Sequence, residues 1–243
     1  MDLSKLFTPL AIANGRIILA HRIVMAPMTR NRGIPLESNS EHPNRIWLPD
    51  DVVAQYYEQR ASAGGLIITE GIPPSLEASG MPGVPGLFHG SQIEAWKLVV
   101  DRVHAKGGFI YAQLWHAGRA TIPQMTGCEV VSASATPWET DEKFPFRTAD
   151  TKEKIAYRDF PPAAMTESHI SKTTNDFVKA AEAAMRIGFD GIEINGGNGN
   201  RELMVLQIQS LIIQLTRYSL GSVFTFKHKH SQRLLWRLAG SSV

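Results

Sequence analysis

Cysteine is nearly absent from this chain, since Cys128 is the single cysteine in 243 residues. A lone thiol cannot form an internal disulfide, which argues against a disulfide-stapled secreted domain and favours a reducing compartment. Long apolar runs are also absent: none reaches about 18 residues, the length of a membrane span, and the nearest candidate, 203–216, is interrupted by three glutamines. Residues 1–8 lack the apolar core of a signal peptide. We therefore expect a cytoplasmic protein without a membrane span.

Acidic residues are missing from the last part of the chain. No Asp or Glu follows Glu202, whereas five Lys and Arg residues do. This shift predicts a body, 1–199, and a divergent basic tail, 200–243, that is helical or disordered. The formal net charge of +2 is not that of an evident nucleic-acid binder. A weaker alternative is that 203–216 forms an amphipathic helix that, with the cations after it, binds a membrane surface or nucleic acid.

Short apolar runs alternate with helical patterns along the body. Strands are predicted at 22–28, 65–71, 108–115 and 190–194. Helices are predicted at 52–63, 93–103 and 174–188, the second of them capped by Ser91. This α/β alternation predicts parallel strands with crossover helices, in a barrel or in an open sheet.

Two further segments have patterns of their own. Asn14-Gly15, between two short apolar runs, predicts an N-terminal β-hairpin over 10–18. Segment 120–170 is rich in Pro, Ser, Thr and charged residues and has no clear period, which predicts a long loop.

The residues that close the predicted strands are small, polar or aromatic. They are Pro27-Met28-Thr29, Thr69-Glu70-Gly71, Gln113-Leu114-Trp115-His116 and Asn195-Gly196-Gly197-Asn198. Reactive groups gather at the carboxyl ends of strands in βα folds. A set of amides, hydroxyls and glycines there favours a flat, neutral, hydrogen-bonding ligand over a metal site or a nucleophile–base triad.

Six motifs, in this order along the chain, together resemble one enzyme family. They are LFTPL at 6–10, VMAPMTR at 24–30, YYEQRA at 56–61, TEG at 69–71, QLWHAGR at 113–119 and GFDGIEI at 188–194. Over about residues 3–199 the chain resembles the old yellow enzymes, which are TIM barrels that carry FMN. The resemblance implies an ene-reductase that takes hydride from NADPH and reduces the C=C bond of a small α,β-unsaturated carbonyl compound.

The resemblance also implies roles for individual residues. Thr29 would hydrogen-bond the flavin near its C4 carbonyl, and Gln113 would bind the pyrimidine edge. Backbone at Ala26, Pro27, Met28 and Gly71 would approach the ring. On the substrate side, Trp115 would wall the pocket, while Asn195 and Asn198 would hold the substrate carbonyl.

Two positions depart from the family pattern. Asn195 stands where the family usually has His, and Asn200 stands where it has its proton-donor Tyr. Because an amide is no practical acid, no catalytic acid is assigned and the α-carbon would receive its proton from water.

The part of the barrel that follows residue 195 is short. Only 48 residues follow Asn195, whereas one βαβ unit needs roughly 30 or more. Four further strands do not fit, nor do the phosphate-binding loops after strands seven and eight of such barrels. We expect an incomplete TIM-type barrel of about four parallel strands, with weak FMN retention and impaired activity. The alternative is an inactive truncated relative that acts, if at all, as a non-catalytic binding protein.

Overall fold

The computed structural model describes residues 3–36, 45–147 and 152–195, and the backbone of 223–226. Within these ranges the strands are β1 (Leu10–Ile12), β2 (Ile17–Leu19), β3 (Val24–Met25), β4 (Ile34–Pro35), β5 (Trp47–Leu48), β6 (Leu66–Ile72), β7 (Phe109–Leu114), β8 (Val131–Ser132), β9 (Ala163–Ala164), β10 (Gly191–Asn195) and β11 (Val223–Phe226). The α-helices are α1 (Asp51–Glu58), α2 (Gly90–Ala105), α3 (Pro123–Thr126) and α4 (Glu167–Arg186). None of the helices in these ranges is long and apolar enough to cross a membrane.

A parallel sheet forms the centre of the molecule. Its strand order is β11-β10-β7-β6-β3, and each neighbouring pair is parallel. The strands β3, β6, β7 and β10 lie where four strands were predicted, and α1, α2 and α4 connect them in turn. The fifth strand, β11, lies in the basic tail, for which the sequence indicated no strand; the rest of 200–243 lies outside the described residues.

The helix-covered face of the sheet holds the main core. Even-numbered residues of β7, such as Ile110 and Leu114, pack there with Ile192 and Ile194 of β10 and with apolar side chains of the three long helices. At its centre Trp96 is completely buried, and its indole N–H donates to the carbonyl of Gly86 at 3.0 Å. This packing turns the odd-numbered residues of β7 and β10 to the opposite face.

The predicted N-terminal hairpin forms, and it closes the opposite face at one end. Strands β1 and β2 pair antiparallel, and Asn14 (φ 54°) and Gly15 (φ 83°) adopt the positive φ angles expected of the turn. Hairpin side chains pack on Leu66, Ile68 and Tyr111, which lie in the amino-terminal parts of β6 and β7. The carboxyl ends, with Gln113, lie away from the hairpin.

The helix boundaries differ from the prediction in three places. Helix α2 is capped by His89 and not by Ser91: the His89 ring accepts from the Ser91 amide at 3.2 Å, and the Gln92 side chain accepts from the His89 amide at 3.0 Å. Helix α1 ends at Glu58 instead of 63, and α4 begins at Glu167 instead of 174. The first turns of α4 are mostly polar and exposed, so apolar spacing misses them.

The segment predicted as a long loop contains short regular elements. Helix α3 and strands β8 and β9 lie in it, and Ile122, Phe144 and Tyr157 form a separate apolar cluster. The segment is also tied to β7 by Arg119, whose guanidinium donates to the carbonyls of Thr136 and Pro137 at 2.7 and 3.0 Å.

One close contact on the hairpin side gives a test of this packing. A Cβ at Gly191 would lie inside the van der Waals radius of the buried Tyr111 ring, whereas a Cβ at Gly90, the first residue of α2, would meet no atom within 4 Å. We expect Gly191→Ala to lower the free energy of unfolding by about 1–3 kcal/mol because the ring must move, and Gly90→Ala to change it by less than about 0.5 kcal/mol. Urea unfolding followed by circular dichroism measures both, and equal stabilities would contradict the packing described here.

Candidate functional site

The registers of three neighbouring strands bring the candidate residues together at the carboxyl edge of the sheet. Gly71 of β6 and Glu193 of β10 both pair with Gln113 of β7. These residues share the face opposite the helices, and Trp115 and Asn195 extend it by two residues on their strands. Gln113, Trp115 and Glu193 are buried.

A hydrogen-bonded series of side chains crosses this edge, which we call the amide chain: Glu193, Gln113 and Asn195. The Gln113 Nε2 donates to Glu193 Oε1, and the Asn195 Nδ2 donates to Gln113 Oε1 at 3.4 Å. The Gln113 backbone is held as well, because its amide donates to Thr69 Oγ1 at 3.0 Å. Beyond these two side-chain bonds, the Gln113 amide keeps one N–H and one lone pair for a ligand.

A bulge in β6 places Gly71 beside Trp115. Ile68 pairs with Tyr111 and Gly71 with Gln113, so β6 has one residue more than β7 between the two pairs. A Cβ at Gly71 would come within 3.0 Å of the Trp115 Cβ. The missing side chain therefore lets the Trp115 side chain lie directly against the backbone of β6.

The segment 26–29 is linked to this edge through a buried carboxylate, Glu70. Its Oε2 accepts from the backbone amide of Arg30, the residue after Thr29, at 3.1 Å, and its own amide donates to the Tyr57 hydroxyl at 2.9 Å. Burial raises the pKa of Glu70 to about 7, although the Arg30 amide, the Tyr57 hydroxyl and the Arg30 charge all oppose the rise. Glu70 therefore fixes the chain direction just after Thr29.

The remaining predicted site residues are placed as follows. Pro27 is half-buried, and Ala26, Met28 and Thr29 are exposed in the stretch that follows β3. Asn198 and Asn200 lie outside the described residues. The nearby His116 is buried and its Nδ1 accepts from the Gly118 amide at 2.9 Å; burial lowers its pKa to about 4, which keeps it neutral.

Sequence reasoning missed the roles of two carboxylates. In the sequence Glu70 and Glu193 stand out only as members of the TEG and GFDGIEI motifs, yet each is 1% exposed and bonded to a site segment. Burial raises the pKa of Glu193, and the bond from Gln113 opposes the rise. The signal available in the sequence was an acidic residue inside an apolar strand, which is costly unless it has a partner.

Neither a metal cluster nor a cleft among the described residues offers an alternative site. No group of three or more His, Cys, Asp or Glu residues among them is arranged to hold a metal ion. A cleft of about 410 Å³ lies on the helix-covered side, lined by residues such as Leu87, Ile93, Lys172 and Asp176. No predicted site residue lines it, so the amide chain with Gly71 and Trp115 is the candidate site.

The raised pKa of Glu70 predicts how the stability of the protein changes with pH. A carboxyl with a folded pKa of about 7 and an ordinary unfolded pKa binds its proton more tightly in the native state, so stability falls as pH rises from about 4.5 to 7. Glu70→Gln keeps an acceptor for the Arg30 amide but removes this titration. We expect the stability of the variant relative to the unsubstituted chain to rise by up to about 3 kcal/mol between pH 4 and pH 8.

Thermal and urea unfolding at both pH values measure this difference. Glu94→Gln, which changes an exposed carboxylate of α2, is the control and should show no rise of this size. A pH-independent difference for Glu70→Gln would contradict the assignment.

Comparisons with known proteins agree with this fold. The chain is 43% identical over 197 residues to flavin oxidoreductase hxnT of Emericella nidulans, covering 81% of this chain and 47% of that protein. It is 42% identical over 202 residues to chanoclavine-I aldehyde reductase fgaOx3 of Penicillium roqueforti, covering 81% and 47%. The chain thus spans about half the length of the curated relatives it matches.

Solved structures of old yellow enzyme type match about the same share of the chain. An old yellow enzyme homologue from Zymomonas mobilis superposes with a TM-score of 0.67 at 36% identity, covering 80% of this chain and 49% of that one. Morphinone reductase in complex with tetrahydroNAD gives 0.67 at 35% identity, covering 79% and 49%. The predicted incomplete TIM-type barrel is therefore confirmed. Because the NADH:flavin oxidoreductase / NADH oxidase family model also matches residues 5–201, the chain belongs to that family and is of the old yellow enzyme type.

Proposed function

We propose that this chain forms the flavin-ring-binding part of an FMN-dependent oxidoreductase that uses NADPH to reduce the C=C bond of α,β-unsaturated carbonyl compounds. The observation that carries the proposal is the buried Gln113 amide at the carboxyl edge, held on both sides by Glu193 and Asn195. Membership in a flavin oxidoreductase family supports it. Both relatives named as reductases, of an aldehyde and of morphinone, also point to carbonyl substrates.

The residues at the edge fit a flavin ring. Gln113 keeps one N–H and one lone pair, which suits a pyrimidine edge that both donates and accepts. Backbone groups at Gly71 and at 26–28 are proposed to approach the flat ring, and Trp115 packs against the side of Gly71 where a side chain would stand. Thr29 supplies a hydroxyl that can donate to the C4 carbonyl. When bound, FMN supplies hydride transfer, and the chain's residues bind, orient and shield the reactants.

Asn195 and Trp115 are proposed to hold the substrate. An amide donor at Asn195 can bind the enone carbonyl oxygen, which gains negative charge as hydride reaches the β-carbon. Asn195 stays neutral at all pH values, so it stabilises that oxygen less than a cationic group would. Trp115 is buried against Gly71 and can form an apolar wall. Asn198 is proposed as a second donor to the same carbonyl, and the proton for the α-carbon is proposed to come from solvent.

A second candidate is a relative that binds flavin without turnover. Asn200 stands where the family has its proton-donor Tyr, and this substitution favours slow protonation. Reconstitution with FMN, followed by measurement of NADPH oxidation with and without cyclohexenone, separates the two. Cyclohexenone-dependent oxidation supports the reductase, FMN binding without it supports the second candidate, and the absence of FMN binding contradicts both. Repeating the assay with NADH tests the choice of nicotinamide donor.

Substitutions at the edge should weaken flavin binding in proportion to the hydrogen bonds lost. We expect Gln113→Leu to raise the Kd for FMN roughly 5- to 100-fold, which corresponds to about 1–3 kcal/mol for two bonds. Thr29→Ala should raise it roughly 2- to 10-fold, because one bond is lost. Quenching of flavin fluorescence on titration measures the Kd.

The matched control is Gln55→Leu, which makes the same change on the exposed side of α1 and should leave the Kd unchanged. Circular dichroism checks that each variant folds. Equal Kd values for Gln113→Leu and Gln55→Leu would show that flavin binds elsewhere.

A further inference from the structure

We propose that Glu193 is a positioning residue that fixes the orientation of the Gln113 amide, and thereby the atoms that this amide presents to a ligand and to Asn195. The inference deepens the proposed function and rests on it only for the identity of the ligand. Its geometric basis is the amide chain itself, in which Glu193 receives the Gln113 NH2 group and Gln113 Oε1 receives the Asn195 NH2 group.

A pair of primary amides has no preferred direction by itself. The oxygen and the nitrogen of an amide are nearly equal in size, and each amide can donate or accept. If the Gln113 and Asn195 amides both turned over, Gln113 would donate and Asn195 would accept, and the bond between them would survive. The bond between the two amides therefore does not by itself decide which way the Gln113 amide points.

The carboxylate of Glu193 removes this equivalence. In its ionised form the carboxylate has acceptors and no hydrogen to give, so in that form the Gln113 nitrogen faces Glu193 Oε1. In the reversed orientation two oxygens would face each other and a charge-assisted bond would be lost. Such a bond shifts an equilibrium roughly 10- to 100-fold, which is enough to leave one orientation dominant.

The surroundings of Glu193 argue against a role in packing alone. The side chain is 1% exposed, and its Oε2 is buried without a hydrogen-bond partner among the residues that the structure describes. A buried carboxylate with so few partners is often less stable than an apolar residue of the same volume. The contribution of the carboxylate is to fix which way the Gln113 amide points.

The fixed direction determines which ligand edge the site accepts. When the Gln113 nitrogen donates to Glu193, the remaining N–H and the remaining lone pair of the Gln113 amide each point in one fixed direction. A ligand edge that alternates acceptor and donor, such as the imide edge of a flavin, can match both. In the reversed orientation the two positions would exchange, and donors would face donors.

The test uses the side-chain amide signals of Gln113 in 1H–15N spectra of the whole chain without added ligand. These signals are identified by their loss in Gln113→Leu. The unsubstituted chain should give one pair of signals. Glu193→Gln is close in shape, but an amide at this position can donate as well as accept, so we expect two sets of Gln113 signals or exchange broadening. Glu70→Gln, which changes the other buried carboxylate of the sheet, should leave the single pair unchanged.

A second variant guards against a folding defect. Glu193→Leu removes the acceptor and the buried charge together, and it should give the same doubling or broadening of the Gln113 signals. If both variants fold and keep the single pair at its original shifts, the proposal is overturned.

Titration with FMN separates this result from the proposed function. Loss of the preferred orientation leaves about half of the molecules competent, so the apparent Kd of Glu193→Gln should rise about twofold. If the unsubstituted chain fails to bind FMN while the signals still double in Glu193→Gln, the positioning role stands and the proposed function falls. Unchanged signals in both variants overturn the positioning role whether or not FMN binds.

Discussion

The register between β6, β7 and β10 is the constraint on which the rest of the structure depends. It places Gly71, Gln113 and Glu193 in one row across three strands, and the two-residue period of a strand sends their neighbours to the other face. A shift of one residue in β7 would turn Leu114 towards the polar edge and Gln113 into the helix-covered core. The main core and the candidate site are therefore specified by the same alternation, and neither can be rearranged without the other.

Two buried carboxylates hold the polar edge in place, and their burial lowers the stability of the sheet. Glu70 bonds the Arg30 amide and Glu193 bonds the Gln113 side chain, and burial raises the pKa of both. Each contact is directional in a way that apolar packing is not, since a carboxylate accepts from a specific N–H group. We infer that the sheet gives up some stability at these two positions and gains a defined arrangement of Thr29 and of the Gln113 amide.

The sequence was sufficient for features that depend on period and order, and insufficient for features that depend on single tertiary contacts. Four strands, the hairpin and the family followed from apolar runs, from Asn14-Gly15 and from six ordered motifs. The cap of α2 was missed because a histidine ring at position 89 replaces the expected hydroxyl. The link from Glu70 to Arg30 spans 40 residues and leaves no local pattern.

One departure from the family pattern, Asn195, is part of the amide chain. A neutral amide at position 195 can donate to Gln113 Oε1 without placing a cation near Glu193. A protonated histidine there would instead attract the buried carboxylate, and the Gln113 NH2 group would compete with it for Oε1. With Asn195, the direction that Glu193 imposes on the Gln113 amide passes through a neutral group towards the position proposed for the substrate carbonyl. Under the proposed function, Glu193, two residues earlier on the same strand, acts on the substrate position through the Gln113 amide.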